Sequence, residues 1–388
     1  MRSILSRIYI KVDTVKILAF LITLHGLLCE SNLTLRPYIY NFKDKTIICI
    51  FIVWLLAFFQ NKVYIKNIAY LMVPCLVGLY TATTLNNENL GLISLLLFFC
   101  VPEMLEKIIA VVYKTTKLFF WIHAFLFLLY RLSIIGLTDY VLVGESGVRY
   151  SFFTIHPNYI ARIFIFYIAL YCYVKKLEIK NLKWILILSF TVLMYYFTKS
   201  DALYIVFVCF LISKIKDSSK VDKCLTILVK YGVPIFLIFS LSSAWGTNIP
   251  VLNNMLEKLN ILMSHRLTSN LKALALYGVT LFGKDSKFGQ HFVYQGVEYS
   301  YIYADNMYIY MLVHLGLIYL ILLALVLYRA ADLLDFLSKA MIVVLLLYGI
   351  GESGVTALYT AFSLLLAYSA IINKEKTKLS FYFDERKI

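Results

Sequence analysis

The sequence predicts an all-α, polytopic integral membrane protein with about twelve transmembrane helices and a large extracytoplasmic loop that carries an interfacial helix. Hydrophobic residues make up 61% of the chain and charged residues 15%, against about 45–50% and about 25% in soluble domains. The mean hydropathy is +0.80, and apolar runs near the length of a membrane span follow one another along the chain. In this interpretation residues 1–388 form a single transmembrane domain.

The predicted helices follow the apolar runs in order. The first run comes after a basic N-terminal segment and has no small-residue cleavage site, so it is interpreted as a retained helix and not as a signal peptide. Several runs are short, and their ends are placed to within a few residues. The predicted helices are 17–29, 46–59, 67–85, 90–112, 118–136, 158–174, 184–198, 202–213, 224–241, 307–328, 339–351 and 355–372.

The distribution of basic residues predicts the orientation of the chain. Lys and Arg number 37 against 22 Asp and Glu, and most of them fall in segments that lie inside if the N-terminus is cytoplasmic. This positive-inside bias predicts that both termini are cytoplasmic. Basic runs such as "VKKLEIKNLK" and "SKIKDSSKVDK" are then explained by topology and anionic headgroups, which argues against a nucleic-acid partner.

Two predicted extracytoplasmic segments, 137–157 and 242–306, are longer than topology requires. Long loops in a compact protein are commonly functional or disordered. In the second segment, the stretch "MLEKLNILMSHRLTSNLKALALYG" has leucines at helical spacing, which favours an interfacial helix on the outer leaflet over disorder. These two loops are the predicted location of an active site.

The stretch "VRYSFFTIHPNYIARIFIF" concentrates polar residues where a helix enters an apolar run. Pro157 suits the first turn of a helix, and Asn158 is placed to satisfy free backbone donors there. The positive end of the helix dipole, Arg149 in the approach and Arg162 one turn further in together predict an anion site. The simpler alternative is a cap with a rim charge, but an arginine within a span favours function unless it snorkels to the headgroups.

Other polar residues extend this prediction. Arg266, in "SHRLTSNLK", offers the planar fork of donors that suits phosphate oxygens, or it contacts headgroups from an interfacial helix. Asp305 and Asn306 come just before the chain re-enters the membrane. The pair is placed to cap the following helix, the Asp305 carboxylate is placed to accept a proton, or both roles apply. Lys199 lies in the turn "FTKSDALY", where a solvated turn is the simpler interpretation. Glu352 is placed either to cap the last helix or to pair with a buried arginine.

No motif for metal or nucleotide chemistry stands in the sequence. The seven cysteines are scattered without CxxC spacing, and there is no Walker A, HExxH or GxSxG sequence. No metal and no cofactor is therefore expected, and ATP hydrolysis, zinc hydrolysis and serine acyl transfer lose support.

In its order of features the chain resembles the Wzy-type polymerases of O-antigen, capsule and exopolysaccharide, within the O-antigen ligase superfamily. "RYSFFTIHPNYIA" is similar to that family's arginine followed by a PN-initiated helix. "SHRLTSNLKALALYGVTLFGK" is similar to its arginine-led amphipathic helix with a Leu-Phe-Gly turn, and "DNMYIYMLVHLGLIY" to its Asp/His-Asn before a span with a later glycine. The matches cover residues 148–166 and 264–319.

The resemblance implies a metal-independent C-type membrane glycosyltransferase of the bacterial cytoplasmic membrane. Such an enzyme transfers a growing glycan from undecaprenyl pyrophosphate to a sugar hydroxyl of an incoming lipid-linked repeat unit, and a flippase and a chain-length regulator are further implied partners. On this resemblance Arg149 and Arg266 hold the pyrophosphate, with His156, Asn158 and Asp305 as motif positions of less defined role.

The resemblance and the chemistry of the residues together predict a role for several side chains. Asp305 is expected to be the base for the acceptor hydroxyl, with His156 as the competitor, and Arg162 either supports the same charge or pairs with Glu352. Many relatives have a Ser-Arg pair where this chain has Lys199 and Ser200, so Lys199 is expected to stand in for that arginine.

Three alternatives remain open from the sequence. A repeat-unit flippase or transporter would suit many helices with intramembrane arginines, although no internal repeat is found and the polar groups cluster at one face. An O-antigen ligase-type transferase would share every motif. A dolichol-type C-class transferase expects an acidic pair in the first outer loop, where this chain has the lone Glu30 and the distant Asp44.

Overall fold

The computed structural model of the chain is built mostly from α-helices. It describes residues 13–31, 36–60, 76–77, 79–81, 83–85, 88–137, 139–144, 147–215, 218–246, 250–262, 266–286, 288, 292–294, 297–299, 303–354 and 356–384. The first seven helices within these ranges are α1 (Thr14–Leu28), α2 (Arg36–Gln60), α3 (Glu88–Leu96), α4 (Pro102–Arg131), α5 (Pro157–Val174), α6 (Asn181–Thr198) and α7 (Tyr204–Lys214). The later ones are α8 (Ser219–Gly246), α9 (Pro250–Leu262), α10 (Arg266–Tyr277), α11 (Met307–Tyr310), α12 (Leu317–Ala330), α13 (Phe336–Gly351) and α14 (Leu358–Asp384).

Two short antiparallel hairpins lie in the segments predicted to be long outer loops. One pairs β1 (Val141–Gly144) with β2 (Gly147–Tyr150), and the other pairs β3 (Phe292–Tyr294) with β4 (Val297–Tyr299). In the first hairpin Leu142 is opposite Arg149. The purely helical prediction therefore omitted two small sheets, both outside the long apolar helices.

Four described helices are long and apolar enough to cross a membrane, as judged by length and composition: Glu103–Arg131, Pro157–Val174, Asn181–Thr198 and Ser219–Ala244. Their burial differs sharply, because 67% of the α5 span but only 17% of the α6 span is covered by protein. The other apolar stretches of the described helices are 10–17 residues long, among them Lys45–Gln60 in α2 and Leu358–Asn373 in α14. The prediction of an α-helical chain with membrane-compatible helices is thus confirmed, whereas the number of twelve spans stays a prediction.

Helix α5 carries Asn158 and Arg162 of the predicted anion site and packs against α4, α13 and α14. Buried Ile160, Ile163 and Phe164 line its apolar faces. Helices α6 and α8, in contrast, expose large apolar side chains such as Val192 and Ile238. Extended apolar surface of this kind is unfavourable in water and suits a hydrocarbon environment.

The predicted break between residues 112 and 118 is wrong, because α4 continues through it. Lys114 and Lys117, which lie between the two predicted helices, are on the exposed side of α4, and Thr116 donates its hydroxyl hydrogen bond to the Val112 carbonyl at 2.8 Å. The break comes earlier, where extended Val101 precedes the proline that starts α4. Proline is favoured in a first turn, and no Gly or Pro interrupts the chain after it.

The predicted helix 307–328 is also interrupted. After α11 one π-helical turn covers Met311–Leu315, and Gly316 has φ +91° before α12 begins. This conformation is open to glycine and costly for other residues. The predicted interfacial helix corresponds to α9 and α10, with residues 263–265 between them outside the described residues, and the predicted helix 67–85 lies largely outside the described residues as well.

Candidate active site

The entry into α5 is capped by His156. Its Nδ1 accepts a hydrogen bond from the Asn158 backbone N–H at 3.2 Å, and Pro157 occupies the first helical position. The prediction that Asn158 caps this helix is therefore wrong, since a histidine ring takes that place. Burial lowers the pKa of His156 to about 4, and the positive charges of Arg149, Arg266 and Arg162 add to the effect. The imidazole is neutral at pH 7, with its proton on Nε2.

Because Asn158 does not cap the helix, its side-chain amide can connect two distant parts of the chain. Its Oδ1 accepts a hydrogen bond from Arg149 Nη2, and its Nδ2 donates to Glu352 Oε1 at 3.1 Å. Arg149 also donates from Nε to the Thr198 carbonyl at 2.8 Å, at the end of α6. The β1–β2 hairpin thus carries the arginine to the N-terminus of α5, as the helix-entry pattern predicted.

Arg149 makes no ion pair among the described residues. The acceptors of its guanidinium are an amide oxygen and a backbone carbonyl. Burial lowers the pKa of Arg149, and the nearby charge of Arg266 lowers it further. Since an arginine keeps its charge in proteins, a partly buried cation without a bound carboxylate faces this site.

Arg266, the first residue of α10, approaches the same point from the opposite direction. Its Nη2 lies 2.7 Å from Glu352 Oε1, the oxygen that Asn158 also contacts. Glu352 follows α13 directly and is 7% exposed. The two arginines predicted from separate motifs are therefore joined through Asn158 and Glu352. We call Arg149, Asn158, Arg266 and Glu352 the arginine cluster.

Arg162 lies one turn deeper and belongs to a different buried group. Its Nη2 is 2.7 Å from Glu30 Oε1, and its Nε donates to the Tyr359 hydroxyl at 3.0 Å. Tyr359 donates in turn to Glu30 Oε2 at 2.6 Å, and the Tyr159 ring lies 4.5 Å from the guanidinium carbon. Of the two alternatives for Arg162, the pairing with Glu352 is therefore wrong, because Arg162 pairs with Glu30 and Glu352 pairs with Arg266.

A glycine makes room for one of the two ion pairs. A Cβ at Gly354 would lie 1.3 Å from Arg162 Nη1, and one at Gly351 would lie 3.4 Å from Arg266 Nη1. In the sequence "GIGESG", Gly354 therefore leaves the space that the Arg162 guanidinium fills, whereas Gly351 is in ordinary contact with Arg266. Glu352 was predicted from this stretch, but the role of Gly354 was not.

Asp305 and Asn306 take separate roles. Asn306 caps α11 by accepting from the Tyr308 and Ile309 backbone N–H groups, while its Nδ2 donates to Ser240 Oγ and to the Ile350 carbonyl, both at 2.8 Å. Its side chain is thus fully used within the protein, which favours the capping alternative over substrate binding.

The Asp305 carboxyl, by contrast, has no hydrogen bond or ion pair among the described residues. Burial raises the pKa of Asp305, and the positive charge of Arg266 opposes this shift. The negative charge of Asp305 is felt at Glu352 as well. A free carboxyl therefore stands beside the arginine cluster.

Lys199 is next in the chain to a residue that contacts the arginine cluster, but its own ammonium group lies near two tyrosine rings. It ends α6 with φ +49°, and its ammonium lies 5.0 Å from the Tyr196 ring centre and 5.8 Å from that of Tyr195. The structure places Thr198, just before it, in contact with Arg149. The described contacts of Lys199 thus do not include the partners of Arg149.

The approach to α5 is a left-handed turn held by a carboxylate. Phe152 and Phe153 have φ +52° and +61°, a region that bulky residues rarely adopt. Asp139 accepts from the Ser151 hydroxyl and the Phe153 N–H at 2.7 Å each, and from the Phe152 N–H at 3.1 Å. Burial raises the pKa of Asp139, whereas these hydrogen bonds lower it. Asp139 was not among the residues predicted from the sequence.

Two glycines position the segment that follows α10. A Cβ at Gly283 would lie 2.2 Å from the His314 carbonyl oxygen, and one at Gly316 would lie 2.2 Å from the Gly283 nitrogen. The Leu317 and Ile318 N–H groups donate to carbonyls of Thr280 and Leu281 at 3.0 Å. The Leu-Phe-Gly turn and the later glycine, quoted separately in the resemblance, are therefore in direct backbone contact.

Comparisons of the chain with family models, with curated proteins and with solved structures gave no match. The assignment of a function to the arginine cluster accordingly depends on its own geometry and on the resemblance in the motifs.

Proposed function

We propose that the protein is a polysaccharide polymerase of the bacterial cytoplasmic membrane, which transfers a growing glycan from undecaprenyl pyrophosphate to a sugar hydroxyl of an incoming lipid-linked repeat unit. The observation that carries the proposal is the convergence of Arg149 and Arg266 on Asn158 and Glu352. In this proposal the chain crosses the membrane about twelve times with both termini cytoplasmic, and the cluster lies at the outer face.

The donor pyrophosphate binds at the N-terminus of α5. Arg149 makes no ion pair among the described residues, although the charges of Glu352 and Asp201 act on it from further away, and the helix end adds backbone N–H groups and its dipole. Arg266 can turn part of its five-donor fork to the anion while Glu352 holds the rest. Glu352 thereby sets the position of the second arginine and limits the net positive charge of the empty site.

The transfer breaks the bond between the anomeric carbon and the pyrophosphate oxygen, and the electron pair leaves with the pyrophosphate. A new bond forms between that carbon and the acceptor hydroxyl oxygen. Positioned cations stabilise the charge that develops on the leaving group, an effect for which removal of one donor typically costs about 10²–10³ in rate. The two arginines carry this part of the reaction.

Asp305 accepts the proton of the acceptor hydroxyl. Its carboxyl is without a described partner and stands beside Arg266, so it is available and near the leaving group. His156 is the weaker candidate, because its Nδ1 is occupied by the cap and its Nε2 carries the proton. A neutral imidazole of this tautomer donates a hydrogen bond to a substrate oxygen and does not accept a proton from it.

Arg162 and Glu30 support the site from below. Because Arg162 is neutralised by Glu30 and 8% exposed, it holds α1, α5 and α14 together and does not bind the pyrophosphate itself. The Glu30 carbonyl also accepts from the Ile155 N–H at 2.9 Å, which ties the approach to α5 onto the end of α1.

A deletion strain tests the proposed reaction against its rivals. Loss of the protein should leave single repeat units on the outer leaflet, and the wild-type gene should restore polymer. Full-length polymer that stays on its lipid carrier would instead identify a ligase, and repeat units trapped on the inner leaflet would identify a flippase. The size distribution of surface glycan and the outer-leaflet lipid-linked pool are the two quantities to measure.

A further inference from the structure

The β1–β2 hairpin has two faces of different character, because successive side chains of a strand point to opposite sides of the sheet. Leu142 and Arg149 are cross-strand partners on one face, from which Arg149 reaches the end of α6. The other face consists of two cross-strand pairs, Val143 with Val148 and Val141 with Tyr150. We call these four residues the apolar hairpin face.

The tip of the apolar hairpin face is uncovered. Val143 is 76% exposed, and its cross-strand partner Val148 is 44% exposed. β-Branched side chains favour strands whose face packs against other groups, and apolar area left in water is unfavourable in proportion to its size. The valine pair is therefore expected to meet an apolar partner outside the hairpin.

The base of this face is continuous with the exposed apolar surface of two long helices. The Tyr150 ring packs edge-on against Phe127 of α4 and Phe197 of α6, at 5.6 and 6.0 Å between centroids. Protein covers 44% of the α4 span and 17% of the α6 span, and Leu128 and Leu193 on these helices are 53% and 47% exposed. The hairpin thus extends a surface that suits hydrocarbon.

Polar groups mark the level at which the hairpin joins this surface. Arg131, the last residue of α4, is exposed. Its Nη1 donates to the Tyr150 hydroxyl at 2.9 Å, and its guanidinium carbon lies 5.0 Å from the ring centre. Tyrosine and arginine both suit the boundary between acyl chains and headgroups, where the stem or ring is apolar and the tip is wet. The remaining Arg131 donors have no partner among the described residues, so phosphate oxygens of headgroups can reach them.

We propose that the apolar hairpin face is an interfacial anchor, which lies in the headgroup–acyl boundary of the leaflet on the side of the arginine cluster. Its partner is the phospholipid surface, with Arg131 on the phosphates. Two observations favour phospholipid over a protein partner: the continuity with α4 and α6, and the exposed cation beside the face. A protein partner would have to displace lipid from both helices to cover the same face.

The two faces of the hairpin couple the lipid surface to Arg149. Val148 directly precedes Arg149 on β2 and points to the opposite side. The depth of the valines in the lipid therefore sets the height of the Arg149 guanidinium at the end of α6. The use of this height to meet a lipid-linked pyrophosphate rests on the proposed function, whereas the anchor itself does not.

Photo-crosslinking from the hairpin tests the anchor in the full-length protein. p-Benzoylphenylalanine replaces Val143 in protein held in nanodiscs of phosphatidylethanolamine and phosphatidylglycerol, and mass spectrometry detects adducts after irradiation. We expect phospholipid adducts, as from the same probe at Val192 of α6, which is 70% exposed and serves as the positive control. The matched control is Leu142, where about tenfold fewer lipid adducts are expected because its side chain points to the opposite side of the sheet.

Three results would overturn the anchor. Covalent dimers from the probe at Val143 would show that a second copy of the chain covers the face. Equal lipid labelling from Val143 and Leu142 would show that the two faces do not orient the hairpin on the membrane. An unlabelled Val143 variant beside a labelled Val192 variant would place the tip in water. If the Val143 variant does not accumulate, the probe at Val148 supplies the same measurement from the partner strand.

This labelling is independent of sugar transfer. Lipid adducts at Val143 together with normal polymer in the deletion strain would leave the anchor standing and refute the polymerase. Covalent dimers together with single repeat units in the deletion strain would do the reverse. The two proposals therefore fail separately.

Discussion

Arg266 Nη2 and Glu352 Oε1 lie 2.7 Å apart although the two residues are 86 positions apart in the chain. The same carboxylate oxygen accepts from Asn158, which accepts in turn from Arg149. Glu352 thus connects Arg266 of α10 directly, and Arg149 of the β1–β2 hairpin through Asn158.

Removal of the Glu352 carboxylate should destabilise the protein. Glu352→Ala leaves a buried Arg266 without its partner, and breaking a buried pair from one side typically costs about 3–5 kcal/mol. Glu352→Gln keeps an oxygen that can accept from Asn158 and should cost less. Thermal unfolding of the purified variants in detergent measures the order wild type, Gln, Ala. An alanine variant that unfolds with the wild type would show that the pair does not hold the site together.

Asp305→Asn should stop polymer growth while the protein still binds its lipid-linked donor. The amide keeps the shape but cannot accept the hydroxyl proton. Because burial raises the pKa of Asp305, the wild-type base form is lost as pH falls, and this loss should begin above the about 3.9 of an ordinary aspartate. Initial transfer rates with purified lipid-linked units across pH measure this. A wild-type rate in Asp305→Asn would exclude the carboxyl as base.

His156 should tolerate replacement by another capping residue. Asn is a strong helix cap, so His156→Asn should retain much of the polymer-forming activity. His156→Ala loses the cap, which typically costs about 0.5–2 kcal/mol, and should lower membrane levels more than it alters chemistry per molecule. If the asparagine variant folds and is inactive, the imidazole is needed for the reaction, and the roles of His156 and Asp305 must be exchanged.

The glycine contact behind α10 should be sensitive to a single methyl group. Gly316→Ala places a Cβ against Gly283 and the Leu281 carbonyl in a backbone with φ +91°, so it should sharply reduce folded protein. Gly136→Ala is the matched control, since a Cβ there meets nothing within 4 Å. Equal yields of monodisperse protein from the two variants would contradict the close backbone contact.

Much of the site was predictable because its residues carry local signals. Pro157 marks a helix start, and arginines beside apolar runs indicate function, so Arg149 and Arg266 could be selected without coordinates. Their connection through Asn158 and Glu352 could not, because it joins four separate elements. The Arg162–Glu30 pair was missed for the same reason, although an acidic residue just after an apolar run is itself a signal.

The predicted ends of helices were wrong where contacts in the folded chain overrode a local sequence signal. "YKTTK" has the charge of a loop, but the continuous α4 simply turns these lysines outward. Gly316 lies in an otherwise unbroken apolar run, and only its contact with Gly283 shows why the helix ends there. His156 as a cap was hidden because asparagine is the commoner cap and stood two residues away.

In the proposed reaction Arg149 and Arg266 together hold the leaving pyrophosphate. The most direct measurement is glycan length, with the outer-leaflet lipid-linked pool, in the deletion strain complemented with Arg149→Ala, Arg266→Ala or the control Arg329→Ala, which changes an exposed arginine outside the cluster. We predict single repeat units for both cluster variants and full polymer for the control, with glycan compared per amount of protein in the membrane because Arg266→Ala leaves Glu352 without its partner. Wild-type polymer length in both cluster variants would contradict the account.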